Sequence, residues 1–348
     1  MEKKLSVIIP FYNAERTLKN AIESIIKQNM NEDIEIILID DGSKDNSVNI
    51  AREYEMLYRN INLIKIKNQG VSHARNIGLN FSKSKYIMFL DADDTFDLNL
   101  FNWLKKVLTD DCDILIFDYV IEYSNKIYKQ AIDQNEFDLL DSIYCQNVAI
   151  GIEKSKTRFN TVWGKVFSKK LLDENNIRFI EGMKIGEDCL FAYTSYQYAN
   201  NIKYYSFPGY YYYQNVNSTV HKFQPEMIEV DRQWQLEFKN LIDKLPKNKN
   251  THIYKNYSLA KGIINCCYLN IGHKDSTYNF RKRIIMLKQL VTSDPYSKCN
   301  YDVTEKYFEG YDLLLIKLIK KKMYKTIIII FYIKANKDKL KLFKKLIK

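Results

Sequence analysis

Asp91-Ala92-Asp93-Asp94 stands directly after the apolar run Tyr86-Ile-Met-Phe-Leu90, so three carboxylates are delivered together at the exit of a strand-like segment. Carboxylates in that position repel one another and lose hydration, and they persist where a cation sits among them. Oxygen ligands with no neighbouring His or Cys suit Mg²⁺ or Mn²⁺ rather than zinc. An Asp-x-Asp of this kind takes its meaning from the segments that precede it.

Those segments alternate between two periods. Leu5 to Pro10 is a buried apolar run, followed by a helix whose Leu18, Ala21, Ile22, Ile25 and Ile26 share one stripe. Ile34 to Ile39 ends on Asp40-Asp41-Gly42-Ser43, and a helix through Ala51 and Tyr54 follows, with Ser43, Asp45 and Ser47 as N-cap candidates. Ile61 to Ile66 stops at Asn68-Gln69-Gly70, and a helix through Ala74, Ile77, Leu79 and Phe81 returns the chain to the strand with the acidic tip. This alternation predicts an α/β fold built on a doubly wound, mostly parallel sheet, with its ligand crevice at the carboxyl ends of the strands.

Together the strand exits suit a nucleoside diphosphate. Pro10-Phe11-Tyr12-Asn13 offers aromatic and amide groups to a base and ribose, and the fourth exit offers metal-type carboxylates to the phosphates. No G-x-G-x-x-G follows the first strand and no G-x-x-x-x-G-K-[ST] occurs, which argues against dinucleotide cofactors and P-loop chemistry. Without a glycine cradle, the diphosphate needs a metal.

Leu5-Ser-Val-Ile-Ile-Pro-Phe-Tyr-Asn13, Leu38-Ile-Asp-Asp-Gly-Ser-Lys-Asp45, Gly70-Val-Ser-His-Ala-Arg-Asn-Ile-Gly78 and Phe89-Leu-Asp-Ala-Asp-Asp94 resemble, in order, the four N-terminal motifs of family 2 glycosyltransferases of GT-A fold. Val162-Trp-Gly-Lys-Val-Phe167 and Gly186-Glu-Asp-Cys-Leu-Phe191 resemble the acceptor-side loop and the Glu-Asp motif of the same enzymes. The resemblance implies that Asp41 accepts a hydrogen bond from a uracil N3, and that Pro10, Tyr12, Asn13 and Glu15 line base and ribose. It further implies that Asn68 and Arg75 approach the base or the phosphates and that Asp91 and Ala92 lie beside the nucleotide. Asp91 then touches ribose or metal, Asp93 binds the Mn²⁺ or Mg²⁺ directly, and His221 is a candidate late metal ligand. Asp94 is expected to cap a helix beginning near Leu98.

The implied reaction is displacement at an anomeric carbon by an acceptor hydroxyl, through an oxocarbenium-like transition state. It needs a cation for the departing diphosphate and a general base for the hydroxyl proton. By resemblance Asp188 is the base, Glu187 supports the acceptor, and the outcome is inversion. Read from the residues alone, Glu187 and Asp188 could simply complement the positive end of the helix they open. Trp163-Gly164-Lys165 is expected to close over donor or acceptor sugar, and its alternative is a core Trp beside a turn. Tyr210-Tyr-Tyr-Tyr213, as a strand, would place half its rings in the core and half outside. Similar enzymes often carry Arg soon after such aromatics, whereas Gln214 and Asn215 stand here.

At 348 residues the chain divides into an expected catalytic, nucleotide-sugar-binding domain over 1–222, a helical region over 223–312 and a basic tail over 313–348. Residues 313–348 hold twelve lysines against one aspartate, which accounts for the whole net charge of +11. Lysine clusters alternating there with apolar groups predict a basic amphipathic helix on an anionic membrane surface. The alternative is a helix packed on its own domain, or a buried strand over Ile327 to Ile333. Whether 223–312 supports the tail or forms a homodimer the sequence leaves open.

Six cysteines without C-x-x-C spacing suit reduced thiols in a cytoplasmic protein, and the N-terminus enters its first strand without room for a signal peptide. No eighteen-residue apolar run occurs, so peripheral attachment to the inner membrane face is expected rather than a span. No basic region with interleaved aromatics lies near a recognised module, which argues against nucleic acid as partner. The expected function is metal-dependent transfer of a sugar from a nucleotide-sugar to a glycan or lipid-linked acceptor in surface-polysaccharide synthesis. Alternatives are a nucleotidyltransferase, which would usually need a Gly-rich, Lys-bearing loop after the first strand, and a non-catalytic sugar-nucleotide-binding protein.

Overall fold

Every residue of β1 (Leu5–Phe11) and β2 (Ile34–Asp40) is buried, as unbroken apolar runs require of strands covered on both faces. The structure, a computed structural model, describes residues 4–28, 33–123, 126–129, 137–155, 157–214, 222–245 and 250–335. His221, Asn215 and residues 336–348 of the basic tail lie outside the described residues. Two compact units divide the chain, Met1–Val216 and Asn217–Lys348, close to the boundary expected at 222.

In the first unit, α1 (Leu18–Ile26), α2 (Ser47–Leu57) and α3 (Val71–Phe81) alternate with β1, β2, β3 (Ile61–Lys65) and β4 (Tyr86–Phe89). The four strands pair in parallel in the order β3-β2-β1-β4. The chain therefore steps outward from β1 and then returns to its other side, which makes the β1–β4 border the topological switch point. At Gly78 a Cβ would lie 2.5 Å from Ile8 Cγ2, so only glycine lets α3 pack this close to β1.

Beyond β4 the sheet becomes mixed, within the mostly parallel arrangement expected. After β5 (Thr95–Phe96) and α4 (Leu100–Val107) come the long β6 (Ile114–Tyr123), β7 (Lys126–Lys129), β8 (Phe137–Leu140) and α5 (Ser142–Ile150). They are followed by β9 (Lys165–Ser168), α6 (Lys169–Glu174), α7 (Glu187–Tyr198) and β10 (Ile202–Gln214). β9 inserts antiparallel between β4 and β6, and β10 runs parallel to β6.

The second unit is helical: α8 (Met227–Lys244), α9 (Thr251–Cys266), α10 (Phe280–Thr292), α11 (Tyr301–Thr304), α12 (Gly310–Lys320) and α13 (Tyr324–Ala335). Ile327 to Ile333 is helix, not strand. α12 and α13 send Leu315, Ile319, Ile327, Ile328 and Phe331 into the same core as Ile263, Leu287 and Tyr296. As far as Ala335, then, the tail is part of this unit rather than a separate segment.

Candidate active site

The loops leaving β1 and β2 are stitched together by side chains. Asn13 Oδ1 accepts from Lys44 N at 2.8 Å, Ser43 Oγ accepts from Asn13 N at 3.0 Å, and Ser47 Oγ accepts from Ala14 N at 2.7 Å. Asp45 Oδ2 accepts from Glu15 N, and Glu15 Oε2 accepts in return from Asn46 N. Ser43, Asp45 and Ser47 thus serve mainly as braces between loops, because the β1 exit lies within reach and supplies backbone donors. Asn13 and Glu15, expected to line base and ribose, spend their side chains on the same braces, and Pro10 is buried within β1. Tyr12 and Asn68 remain exposed at the mouth.

Asp41 is buried at the end of β2, where its carboxylate accepts from the backbone N–H groups of Gln69 at 2.8 Å and Gly70 at 2.9 Å. It fastens the third strand exit to the second. Each carboxylate oxygen has a second lone pair, so this anchoring leaves acceptor capacity for a ligand.

Arg75 is the hub of the site. Its Nη1 donates to Asp188 Oδ1 at 2.6 Å and to Glu187 Oε1 at 3.3 Å, and its Nη2 donates to Asp91 Oδ1 at 2.9 Å. One guanidinium, buried against the Phe179 ring, therefore ties the acidic tip after β4 to the Glu-Asp pair opening α7. Burial works against its charge, but Asp188, Asp91 and Glu187 outweigh that and hold Arg75 above its ordinary pKa. Gly186, at φ +85°, turns the chain so that Glu187 and Asp188 form the first turn of α7. Lost hydration pushes the Asp188 carboxyl upward; Arg75 pulls it back, and the charges of Glu187 and Asp91 push it up again.

Asp93 opens to solvent, with a pKa raised by the surrounding protein and by Asp91. Asp94 does not cap the next helix, which begins at Leu100. Its buried carboxylate accepts from Tyr210 Oη at 2.6 Å and from Tyr213 N at 2.8 Å, and so docks the acidic tip onto β10. Burial, then Asp91 and Asp93, raise its pKa against these bonds. Sequence reasoning missed Tyr210 as a partner, since no local pattern links positions 116 apart.

Three carboxylates, Asp91, Glu187 and Asp188, thus bond one arginine, and Asp93 and Asp94 add their charges to Asp91 on the acidic tip. This excess suits a divalent cation. Among the described residues no three His, Cys, Asp or Glu side chains form a metal cage, so a metal at Asp93 would draw its remaining ligands from a phosphate or water.

Trp163 and Lys165, expected at the sugar, both lie inside the fold. Trp163 is buried, stacked on Tyr210 and Tyr212 with ring centroids 4.7 and 5.6 Å away. Lys165 is fully enclosed, and its Nζ donates to Arg158 O at 2.8 Å and to Thr161 Oγ1 at 3.2 Å. Burial pushes its amine down to about 7. Lys165 opens β9, every residue of which is buried. The tyrosine run does alternate: Tyr210 and Tyr212 face Trp163, whereas Tyr211 reaches Asp97 and Tyr213 reaches Thr95. Gly164, at φ +68°, makes the turn into β9.

Residues 6–175 match the family described as Glycosyl transferase family 2. EpsJ of Bacillus subtilis strain 168, described as an uncharacterized glycosyltransferase, is 28% identical over 328 residues, covering 89% of this chain and 91% of EpsJ. The minor teichoic acid biosynthesis protein GgaA of the same organism is 34% identical over 191 residues, covering 53% of this chain and 42% of GgaA. EpsH of that organism, also described as a glycosyltransferase, is spanned for 65% of its length, just under two thirds. Among solved structures, S. aureus TarS 1-349 in complex with UDP-GlcNAc aligns with a TM-score of 0.68 at 20% identity, covering 93% of this chain and 90% of that one. Likeness at that identity shows a shared fold.

Proposed function

The chain belongs to glycosyl transferase family 2 through residues 6–175, and from that premise we propose that it moves a sugar from a UDP-sugar to a hydroxyl of a surface glycan or lipid-linked acceptor, with inversion and with a divalent cation. The observation that carries this reading is the single guanidinium of Arg75 set among Asp91, Glu187 and Asp188, with Asp93 open beside it. The TarS complex with UDP-GlcNAc supports a UDP-sugar as donor class, and the teichoic acid description of GgaA supports a surface-glycan acceptor.

Asp93, with Asp91 behind it, would hold Mn²⁺ or Mg²⁺, and the bound cation would neutralise charge on the departing diphosphate. Asp41 accepts from the base while its backbone bonds keep it rigid. Asp188 takes the acceptor proton: its raised pKa strengthens it as a base, and Arg75 keeps enough of it ionised to act. Glu187, on the same turn, positions the acceptor hydroxyl. We also take the enzyme to work peripherally at the inner face of the cell membrane. Residues 313–348 carry the chain's whole net charge, and among the described residues no helix is long and apolar enough to cross a bilayer.

Incubation with a panel of UDP-sugars, Mn²⁺ and candidate glycan acceptors tests the reading through UDP release. Acceptor-stimulated release from one sugar nucleotide is expected. Pyrophosphate formed from UTP and a sugar phosphate, with no UDP release, would indicate nucleotidyl transfer instead.

A further inference from the structure

α13 is apolar almost all round, Thr326-Ile-Ile-Ile-Ile-Phe-Tyr-Ile333, and a helix of that kind must be covered on more than one face. One face is accounted for, since Ile327, Ile328 and Phe331 lie in the core of the helical unit. The opposite stripe faces solvent: Ile329, Tyr332 and Ile333 are 39, 59 and 53% exposed. Phe280 and Ile285 of α10, which packs beside α13, are exposed as well. A groove of about 900 Å³ runs between them, lined by Phe280, Ile329, Tyr332 and Ile333.

The charges around this apolar face are mostly positive. Lys274, Arg281, Lys282, Lys288 and Lys325 are exposed on α10, α13 and the loop before α10, and Asp275 is the one acidic group lining the groove. A solvent-exposed apolar stripe framed by cations complements an anionic lipid surface, where the apolar groups enter the acyl boundary and the cations meet the headgroups. It complements a neutral or basic partner poorly.

From this juxtaposition we infer that the groove between α10 and α13 is the site at which the chain binds anionic lipid. The inference rests on the proposal that the enzyme works at a membrane, and it relocates the contact. The apolar side of α12 and one side of α13, which the amphipathic tail pattern offered to lipid, are used up in the core; the second side of α13, together with α10, does the binding.

Co-sedimentation of the full chain with phosphatidylcholine vesicles, with and without phosphatidylglycerol, reads the interaction. The wild type is expected to bind the anionic vesicles and to bind neutral ones far less. Replacing the two isoleucines of the stripe, Ile329→Ser with Ile333→Ser, should weaken anionic-vesicle binding by at least about tenfold. The charge variant Lys282→Glu with Lys325→Glu changes only exposed side chains, so it provides the same reading should the serine variant fold poorly. Unchanged vesicle binding in the charge variant and in a folded serine variant would overturn the inference, as would a change from dimer to monomer with vesicle binding intact. UDP release in vesicle-free solution is measured separately, so a failure of the proposed transfer reaction and a failure of lipid binding are told apart.

Discussion

Arg75 Nη1 lies 2.6 Å from Asp188 Oδ1, so a helix placed after the third strand holds the carboxylate that opens a helix more than a hundred residues later. The same guanidinium grips Asp91, and the Glu-Asp pair and the acidic tip are thereby held together.

If Asp188 removes the acceptor proton, Asp188→Asn should fold and bind UDP with wild-type affinity but lose roughly 10²–10⁴-fold in transfer rate. Steady-state UDP release with acceptor, alongside a UDP titration, checks both halves. Full retained activity would remove Asp188 as the base.

Arg75 lowers the Asp188 pKa against the effect of burial. The rate should rise with pH as Asp188 deprotonates, and Arg75→Gln should move that ascending limb to higher pH, because the cation bonded to Asp188 that favours its ionised form is gone. A pH–rate profile of the two enzymes decides it; an unmoved limb would separate Arg75 from the titration of the base.

Asp94 and Tyr210 make a prediction about stability. Tyr210→Phe leaves the buried Asp94 carboxyl group short of a donor and should cost about 1–3 kcal/mol in denaturant unfolding. The raised Asp94 pKa means that the folded protein keeps a proton which the unfolded chain releases near pH 4. On this account its contribution is fully present at low pH and is lost as pH rises through the folded pKa. Asp94→Asn should flatten that fall, and an unaltered stability–pH slope would count against it.

Lys165 offers a test between sugar contact and scaffold. Lys165→Met leaves the Arg158 carbonyl without its donor, so unfolding should become easier by about 1–3 kcal/mol while UDP affinity holds. A loss of transfer with no change in Tm would restore Lys165 to the sugar site.

The first four strands and their exits are legible in the sequence because each lesson is local. An apolar run, a glycine turn and a helix stripe recur within about thirty residues, and Asp41, Asp91 and Asp93 fall where strand ends must lie. Asp94 misled because a carboxylate before a helix looks like a cap, and only β10 brings Tyr210 to it. The burial of Trp163 and Lys165 was not legible, because it depends on distant groups: Tyr210 and Tyr212 stack on the indole, and the Arg158 carbonyl accepts from the amine. The basic tail showed its charge but not its partners: which apolar side of α13 is covered depends on helices up to a hundred residues upstream.

The binding of UDP to the chain, titrated calorimetrically with Mn²⁺ and again with EDTA, tests the central claim most directly. With the acidic tip gripping a cation that holds the diphosphate, affinity should fall by at least about tenfold when metal is removed, and Asp93→Asn should bind weakly in both conditions. Equal affinity with and without metal, in wild type and Asp93→Asn alike, would contradict it.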